Sequence, residues 1–387
     1  MDFSPTEDQK TIRETVRRFA ESRIKPLAHE LDEKEEWSQE LTREMGELGI
    51  FGLIVPEEYG GQGLDYSSYV IAVEELARVD GSHAATVAAG VSLGIAPLLY
   101  FGTDEQKKKY LPRLAAGQGL FAFGLTEPGA GSDSRGSSTK SVENADGTWT
   151  INGSKIFITN GSTPITDGVI VQTVSGGTKD APEFTCFIVD KGTKGFTTKT
   201  MHKKLMWRAS NTAELYFSDV RVPASAMLGR RGAGSRQMLK TLDSGRLSIA
   251  AMGLGCAQGT YEAALAYAKQ RHQFGKPLSR FQAIGFKLAD MAMKIEHART
   301  FLYRACWLRD SHQPFGTESA MAKLYCSEVA QWVANEAVQI HGGYGLMKEF
   351  DVERFYRDQR LLQIGEGTSE IQRMVIGRKL LQRYPKS

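Results

Sequence analysis

A single glutamate between two glycines is the residue best suited to acid–base chemistry. Glu366 lies between Gly365 and Gly367, just before a predicted helix whose N-cap is Thr368 or Ser369. Because neither neighbour has a side chain, we expect the Glu366 carboxylate to be exposed to its surroundings, which suits proton abstraction. The alternative is a favourable negative charge near a helix N-terminus with no chemical role.

A glycine-rich loop over residues 124–133 could hold a ligand. Gly129 and Gly131 let backbone N–H groups approach a ligand closely, and Thr126 and Ser132 add hydroxyl donors. Such a loop suits the polar edge of a heterocycle or a phosphate. A Pro-Gly turn between a helix and a strand explains the same residues without any ligand.

The next predicted strand carries an aromatic ring beside a hydroxyl. Within residues 155–161, strand alternation places Phe157 and Thr159 on the same face. That pattern predicts a flat apolar surface next to a hydrogen-bond donor. An ordinary strand running into an Asn-Gly turn is the alternative.

Two later segments combine polar side chains with glycines. Arg271, His272 and Lys276 surround a glycine, with Gln282 nearby, and such a set could meet an anionic cofactor. A helix end followed by a Gly-Lys-Pro turn is an equally good account. The other segment, residues 339–345, reads Gln-Ile-His-Gly-Gly-Tyr-Gly.

Common nucleotide and hydrolase motifs are missing or misplaced. The sequence has no P-loop, no H-E-x-x-H and no G-x-G-x-x-G. A G-x-S-x-G surrounds Ser92, but it lies in an Ala-rich helical stretch, whereas a nucleophile elbow needs a strand before the serine. We therefore expect no hydrolase nucleophile there, and we predict no metal site.

The elements that must position these residues change type twice along the chain. Helical periodicity fills the first third, starting with a predicted capping box at residues 4–7 and a stop or kink at Pro26. From about residue 119, short β-branched and aromatic runs favour an antiparallel sheet or barrel. From about Ser235 the helical period returns, with long helices predicted near 279–311, 317–340 and 368–383.

Charge and composition exclude several classes of protein. The 387 residues include 48 Lys+Arg and 45 Asp+Glu, a net charge of +3. The densest basic run, at 107–109, follows Asp104 and Glu105, so we do not expect nucleic acid as a partner. The weakly polar stretch 84–102 is broken by Pro97 and predicts a buried helix, not a membrane span. The four widely spaced cysteines predict reduced core thiols.

In this order and spacing, the segments together resemble the acyl-CoA dehydrogenase family. The resemblance covers essentially the whole chain, whose length also fits the family. Its motifs are residues 56–61 (PEEYGG), 126–133 (TEPGAGSD), 157–161 (FITNG), Arg271 with Phe274-Gly275, residues 339–345, and 366–372 (EGTSEIQ).

The resemblance implies a mainly α fold with a β middle domain. Residues 1–120 would form an N-terminal helical domain, 121–232 a middle β-barrel and 233–387 a C-terminal four-helix bundle. The helix–β–helix order taken from periodicity agrees with this. In the family, FAD binds where domains and subunits meet, so the resemblance also implies FAD and a homotetramer built as a dimer of dimers.

The implied reaction is α,β-desaturation of an acyl-CoA thioester to the trans-2-enoyl-CoA. Glu366 would remove the α-proton while the β-hydrogen leaves as hydride to flavin N5, and electron-transfer flavoprotein would take the electrons. In the family, the backbone N–H of this glutamate and a flavin hydroxyl hold the thioester oxygen, which stabilises the developing enolate. Desolvation by substrate and flavin would bring the pKa of the carboxylate closer to that of the thioester.

The resemblance assigns most other candidate residues to FAD or substrate. Phe157 would pack on the isoalloxazine, where many relatives have Trp, and Thr126, Ser132 and Thr159 would be flavin or thioester donors. The implied FAD set is Phe123, Leu125, Thr126, Gly131, Ser132, Phe157, Ile158, Thr159, Arg271, Phe274, Gln282, Gln339, Gly342, Gly343, Thr368 and Glu370. The implied substrate set is Ser132, Asp243, Arg246 and Gly367.

Two glycines refine this expectation. A subgroup of the family carries its catalytic glutamate within the segment that matches residues 243–246, but position 245 is Gly here, so we place the base at Glu366. Many straight-chain enzymes have Tyr directly before the base, whereas this chain has Gly365. We hypothesise a short, branched or otherwise bulky acyl group, in a pocket closed by the helix around residues 84–93.

Other functions on the same scaffold are disfavoured but remain alternatives. Acyl-CoA oxidases are usually longer, and nitroalkane oxidases have Asp in place of Glu366. A non-catalytic acyl-CoA or flavin-binding protein would have no use for this base. The N-terminus lacks a signal or transit pattern, which favours a prokaryotic cytoplasm over a processed mitochondrial matrix enzyme.

Overall fold

The computed structural model describes residues 4–178 and 180–383. Helices occupy the chain up to Ala115, strands run from Leu120 to Leu228, and helices return from Gly234. The predicted mainly α fold with a β middle domain is confirmed. Residues 1–3 and 384–387 lie outside the described residues. They include the outer ends of the predicted first and third domains and the N-terminal residues on which the cytoplasmic prediction rests.

The first stretch is helical, as predicted. Its helices are α1 (Glu7–Phe19), α2 (Lys25–Lys34), α3 (Gln39–Glu47), α4 (Tyr66–Ala77), α5 (Gly81–Ala89), α6 (Ala96–Phe101) and α7 (Asp104–Ala115). A π-helical turn, Ala20–Ile24, joins α1 to α2, and Pro26 lies in the first turn of α2. Pro26 therefore coincides with a local widening of a continuous helix, where its missing N–H costs little.

The predicted capping box at residues 4–7 is wrong by two positions. Thr6 caps α1: its hydroxyl accepts from Gln9 N, and the Gln9 side chain accepts from Thr6 N, both at 3.2 Å. Gln9 Nε2 also donates to Asp65 Oδ2 at 3.1 Å. Asp65 is the N-cap of α4, so this bond links the starts of the two helices. The box itself is local, since Thr6 and Gln9 have the capping-box spacing.

One helical stretch, Gly81–Phe101, is long and apolar enough to cross a membrane by length and composition. It comprises α5, the π-helical turn Gly90–Ile95 and α6, and 72% of its most apolar window is buried inside the protein. This is the buried helix that the sequence predicted. Ser92 lies in the π turn, where its hydroxyl donates to Ala88 O at 2.6 Å, as expected of a structural serine.

The middle stretch forms one eight-stranded sheet. Its strands are β1 (Leu120–Gly124), β2 (Lys140–Glu143), β3 (Trp149–Thr159), β4 (Thr166–Gly177), β5 (Pro182–Asp190), β6 (Phe196–Thr200), β7 (Thr212–Val222) and β8 (Met227–Leu228). The order is β6-β7-β3-β2-β4-β5-β8, with β1 also paired to β4. Ile151 of β3, Val171 of β4 and Leu215 of β7 share one apolar cluster, so the sheet folds around a common core.

The sheet is mixed, whereas the sequence predicted an antiparallel one. β1 pairs with β4 in parallel, and Lys140 of β2 pairs in parallel with Val174 of β4. Parallel neighbours need a crossover connection, and the chain between β1 and β4 supplies one through β2 and β3. The residue types of a strand do not specify which neighbour it pairs with after a crossover connection.

The third stretch consists of long helices. It contains α8 (Gly234–Gln270), a hairpin of β9 (His272–Gln273) and β10 (Lys276–Pro277), α9 (Gln282–Asp310), α10 (Gly316–His341), α11 (Val352–Asp358) and α12 (Ser369–Arg383). Buried side chains of α4, α8 and α10, such as Val73, Leu254 and Ala330, belong to one core. The two helical parts are therefore packed together, and all four cysteines are free and buried, as predicted.

Candidate active site

Glu366 lies in a short connection between the turn Gln359–Gln363 and α12. Its φ is 53° and that of Gly367 is 93°, so two consecutive residues adopt the left-handed conformation. Gln372 Nε2 donates to Gly367 O at 2.8 Å and to Glu366 O at 3.3 Å. A side chain of α12 thus holds both carbonyls of this left-handed turn.

Glu366 is partly buried, and one oxygen of its carboxylate is shut off from solvent, so the expectation of an exposed carboxylate is met only in part. Its Oε2 is inaccessible to solvent and has no hydrogen-bond partner within the described part of the chain. The side chain points at Gly245 of α8, where a β-carbon would lie 2.1 Å from Oε2 and 3.5 Å from Leu93 Cδ2. The glycines on either side of Glu366 do not crowd its side chain, but α8 and the π-helical turn Gly90–Ile95 lie against it.

Two buried cations flank this carboxylate. Burial raises the pKa of Glu366 to about 7, although the positive charges of Lys323 and Arg246 oppose the rise. Lys323 lies on α10 and Arg246 on α8, and the structure buries both. A partnerless carboxylate with a pKa near neutrality is a good general base at physiological pH.

Asp243 and Arg246 form an ion pair one turn apart on α8. Arg246 Nη1 donates to Asp243 Oδ1 at 2.7 Å. Burial raises the pKa of Asp243, against the lowering effect of Arg246. Asp243 lines a cavity, while the guanidinium of Arg246 faces inward, toward Asp243 and the charge of Glu366.

The cavity next to Asp243 has a volume of about 1240 Å³ and lies between the two helical parts. Tyr100, Ser244 and Arg309 form a hydrogen-bonded group in its wall: the Tyr100 hydroxyl is 3.0 Å from Ser244 Oγ and accepts from Arg309 Nη2 at 2.8 Å. Ser244 precedes Gly245 in the chain, and the Glu366 carboxylate lies against Gly245. This wall of the cavity is therefore next to the carboxylate.

The glycine-rich loop and the strand with Phe157 meet in the structure. Ile156 N donates to Thr126 O at 2.9 Å, and Lys155 Nζ donates to Leu125 O at 3.1 Å and to Glu127 Oε1 at 2.7 Å. Glu127 also accepts from the backbone N–H groups of Ser138 and Thr139. Neither Glu127 nor Lys155 was predicted as a functional residue, because the two lie 28 residues apart and only the fold brings them together.

Phe157 presents its ring to the surroundings. Its φ is 60° at an irregularity in the β3–β7 register, and 63% of the residue is exposed. Thr159 is partly exposed two residues further on, and the irregularity at Phe157 interrupts the strand alternation from which a shared face was predicted. Beside the loop, β-carbons at Gly129 and Gly131 would meet nothing within 4 Å, so the loop backbone is open to a ligand.

The remaining residues of this group differ in how their side chains lie. Phe123 and Ile158 are buried in the apolar core, which leaves main-chain atoms for any contact with a ligand. Leu125 is partly buried, and Ser132 is exposed next to Gly131. The structure thus brings the predicted residues from 123 to 159 onto one region of the middle sheet.

A second group lies at the ends of α8 and α10. Arg271, Gly342 and Gly343 line a cavity of about 610 Å³, with the Arg271 guanidinium 5.5 Å from the centre of the Tyr344 ring. Phe274, in the turn of the β9–β10 hairpin, is 92% exposed. Gln282 begins α9 and Gln339 lies in the last turn of α10.

Thr368 and Glu370 lie at the start of α12. The Thr368 hydroxyl accepts from Ile371 N at 3.3 Å, and Glu370 is an exposed side chain of the first turn. Thr368 is therefore one of the two caps predicted. Within the described residues, no group of three or more His, Cys, Asp or Glu side chains could hold a metal ion.

Sequence reasoning missed Lys323 altogether. The residue is buried on α10, on the same helix face as Ser319, Cys326 and Ala330. A lysine among the apolar residues on the buried face of a predicted helix is a signal that could have found it.

Known families and proteins match almost the whole chain. The family descriptions "Acyl-CoA dehydrogenase, N-terminal domain", "middle domain" and "C-terminal domain" match residues 6–118, 122–220 and 232–381. The protein named "Probable acyl-CoA dehydrogenase YngJ" of Bacillus subtilis (strain 168) is 51% identical over 383 residues, which are 99% of this chain and 100% of that protein.

Solved structures agree in fold. Butyryl-CoA dehydrogenase from Megasphaera elsdenii has a TM-score of 0.96 at 46% identity, covering 98% of this chain and 100% of that chain. A chain of the structure described as "Electron transferring flavoprotein of Acidaminococcus fermentans: Towards a mechanism of flavin-based electron bifurcation" has a TM-score of 0.95 at 44% identity, covering 99% and 100%. The chain belongs to the acyl-CoA dehydrogenase family of oxidoreductases.

Proposed function

We propose that this chain dehydrogenates an acyl-CoA thioester between Cα and Cβ to the trans-2-enoyl-CoA, with FAD as cofactor and Glu366 as the base. One observation carries the proposal: Glu366 Oε2 is buried and has no hydrogen-bond partner in the described chain, while the pKa of the side chain is about 7. A buried carboxylate held without a partner destabilises the fold, which is typical of a catalytic group.

The described residues fit a flavin. Phe157 offers an exposed aromatic face, and the open backbone at Gly129 and Gly131 lies on the same region of the sheet. Thr126, tied to the strand by its carbonyl, brings its hydroxyl to this region. These groups supply an apolar plane and hydrogen-bond donors, the two features that an isoalloxazine ring needs.

Glu366 would hold and move the α-proton. A bound flavin supplies acceptance of the β-hydrogen as a hydride. In the ionised form, the Glu366 carboxylate takes the α-proton, and its raised pKa makes it a stronger base than an exposed carboxylate. Arg246 and Lys323 favour the ionised form and limit the rise of the pKa of Glu366, so a substantial fraction of the carboxylate is ionised at neutral pH.

The CoA part of the substrate would enter through the cavity of about 1240 Å³. Asp243 reaches that cavity directly, whereas Arg246 is buried behind it, so we assign Arg246 an indirect role through Asp243 and Glu366. Gly367 and Ser132 stay proposed substrate contacts.

We propose a short, branched or bulky acyl group. The nearest atoms to a β-carbon at Gly365 would belong to Leu361, at 3.6–3.8 Å, which is ordinary contact distance, so the position has room for a side chain. The name of the Megasphaera elsdenii relative, a butyryl-CoA dehydrogenase, supports a short chain.

Electron-transfer flavoprotein is the proposed acceptor and a homotetramer the proposed assembly. The exposed ring of Phe274, beside residues proposed to meet FAD, would be covered by a partner subunit. Nucleic acid and membrane insertion form no part of the proposal, and a cytoplasmic location stays a prediction.

The test is an anaerobic titration of purified protein with linear, branched and alicyclic acyl-CoAs, followed by flavin absorbance. Bleaching of the oxidised flavin band by a subset of them is expected. A yellow protein that no acyl-CoA reduces would contradict the reaction, and a protein that cannot be reconstituted with FAD would favour the non-catalytic alternative. Rapid reoxidation of the reduced protein by oxygen, with release of hydrogen peroxide, would favour an oxidase.

A further inference from the structure

Lys323 is a buried charge that needs a structural explanation. Its side chain has no exposed surface, and its Nζ donates to Gly367 O at 2.7 Å. Removing an ammonium group from water costs several kcal/mol, and a hydrogen bond to one neutral carbonyl offsets only part of that cost. A negative charge nearby would offset the rest.

Glu366 supplies that charge. The acidic groups that attract Lys323 are Glu366 and, less strongly, Glu370, while Arg246 on α8 repels it. Burial lowers the pKa of Lys323 to about 8, with Glu366 opposing that fall, so the ammonium form predominates at neutral pH. Of the two cations near Glu366, Arg246 donates a hydrogen bond to the Asp243 carboxylate. Lys323 donates to Gly367 O and has no hydrogen bond to a carboxylate within the described chain.

Gly367 O connects Lys323 to the geometry of the base. The carbonyl accepts from Lys323 on α10 and from Gln372 on α12, so two helices hold it from different directions. Glu366 is a non-glycine residue with a φ of 53°. A non-glycine residue in this conformation is strained and persists only where its surroundings fix it.

We propose that Lys323 is a positioning residue for the base: it holds the Glu366–Gly367 turn through Gly367 O and stabilises the ionised Glu366 carboxylate by its charge. The inference rests on the proposed function of Glu366. It assigns Lys323 no contact with the substrate, so its loss affects the chemical step more than binding.

The first experiment compares Lys323→Met, Lys323→Gln and Lys323→Arg in the FAD-loaded enzyme. For Lys323→Met we expect flavin reduction to slow by about tenfold or more, with an apparent substrate affinity that changes by less than about threefold. The acid limb of the rate–pH profile moves upward by about one unit, since an opposite charge is lost. Lys323→Gln moves the limb equally because it is neutral, and Lys323→Arg restores the limb. Lys108→Met, at an exposed helix position, controls for loss of a lysine.

The second experiment does not depend on activity. Thermal melting of the holoenzyme is measured for Lys323→Met, Glu366→Gln and the double variant at pH 8 and pH 5. At pH 8 we expect Lys323→Met to lower Tm more in the Glu366 background than in the Glu366→Gln background. At pH 5 Glu366 is protonated, so Lys323→Met should change Tm by the same amount in both backgrounds. Lys323→Gln takes the place of Lys323→Met if the latter does not fold.

The outcomes separate this inference from the proposed function. Equal effects of Lys323→Met in both backgrounds at pH 8, or an unmoved acid limb, would overturn the role of Lys323 while leaving the reaction intact. A wild-type protein that no acyl-CoA reduces would overturn the proposed reaction, and the melting cycle would still decide whether Lys323 and Glu366 are coupled.

Discussion

Gly245 of α8 and Glu366, just before α12, meet face to face: a β-carbon at Gly245 would lie 2.1 Å from Glu366 Oε2. That separation is far inside van der Waals contact, so the missing side chain at 245 is what gives the carboxylate its space. In the subgroup of the family with its glutamate in the 243–246 segment, the resemblance places the base on the other side of this contact. Positions 245 and 366 therefore face the same space, the first from α8 and the second from the connection that precedes α12.

Gly245→Ala is expected to slow flavin reduction by about tenfold to a hundredfold, because the added methyl group displaces the Glu366 carboxylate and a shift of about 1 Å can cost that much. Stopped-flow reduction by a good acyl-CoA substrate measures the effect. Gly285→Ala on α9, where a β-carbon would meet nothing within 4 Å, is the matched control and should leave the rate unchanged. Equal rates for both variants would show that the contact is not needed.

Glu366→Gln is expected to abolish most of the reduction and to stabilise the fold above pH 7. The pKa of Glu366 is raised from 4.5 to about 7 in the folded protein, so ionisation opposes folding. The stability of the wild type therefore falls as pH rises from 4.5 to 7, and the loss is complete above that range. At pH 8 the variant should gain roughly 3 kcal/mol in unfolding free energy.

Denaturant unfolding of the wild type and Glu366→Gln at pH 4.5 and pH 8 checks this prediction. The difference between the two proteins should appear only at pH 8. A constant difference at both values would mean that the carboxylate is not destabilised by burial. A rate loss of less than about a hundredfold in the same variant would argue against its role as base.

Lys155→Met is expected to loosen the loop that we assign to the flavin. Burial opposes ionisation of Glu127, but Lys155 and the donors of Ser138 hold the pKa of that carboxyl at about 2. Without Lys155, a buried carboxylate loses its charged partner, a change that costs about 3–5 kcal/mol. A lower Tm and a lower flavin content per protein should result.

The double variant Lys155→Met with Glu127→Leu is the control for that experiment, since it removes both charges together. It should recover part of the lost Tm. Full flavin content and an unchanged Tm in Lys155→Met would contradict the role of the pair in holding the loop.

Gly365→Tyr is expected to narrow the acyl pocket. If the open space at this position admits a branched or bulky group, kcat/KM should fall for branched acyl-CoAs by about tenfold relative to linear ones, as removing room for one or two methyl groups does. Gly365→Ala, whose β-carbon fits at ordinary contact distance from Leu361, should keep the ratio of the wild type. An equal loss for both substrate classes would sink the branched-chain hypothesis.

Local sequence determined the order of elements and most of their positions. Periodicity placed α9, α10 and α12 within a few residues of where the structure has them, because burial of one helix face repeats every turn. Ser38 caps the start of α3 and Gly49 adopts a φ of 74° after its end, as serine does before helices and glycine does after them. The motif residues around Phe157 and Glu366 were found because glycines, aromatic residues and carboxylates stand out in short segments.

Tertiary structure decided what the sequence left open. The parallel pairing of β1 with β4 depends on contacts between distant segments, which composition does not specify. The chemistry of Glu366 depends on them still more. Gly245, Arg246 and Lys323 come from two other helices, and only their packing around a carboxylate that lies between two glycines raises its pKa to about 7, because burial disfavours the charged form.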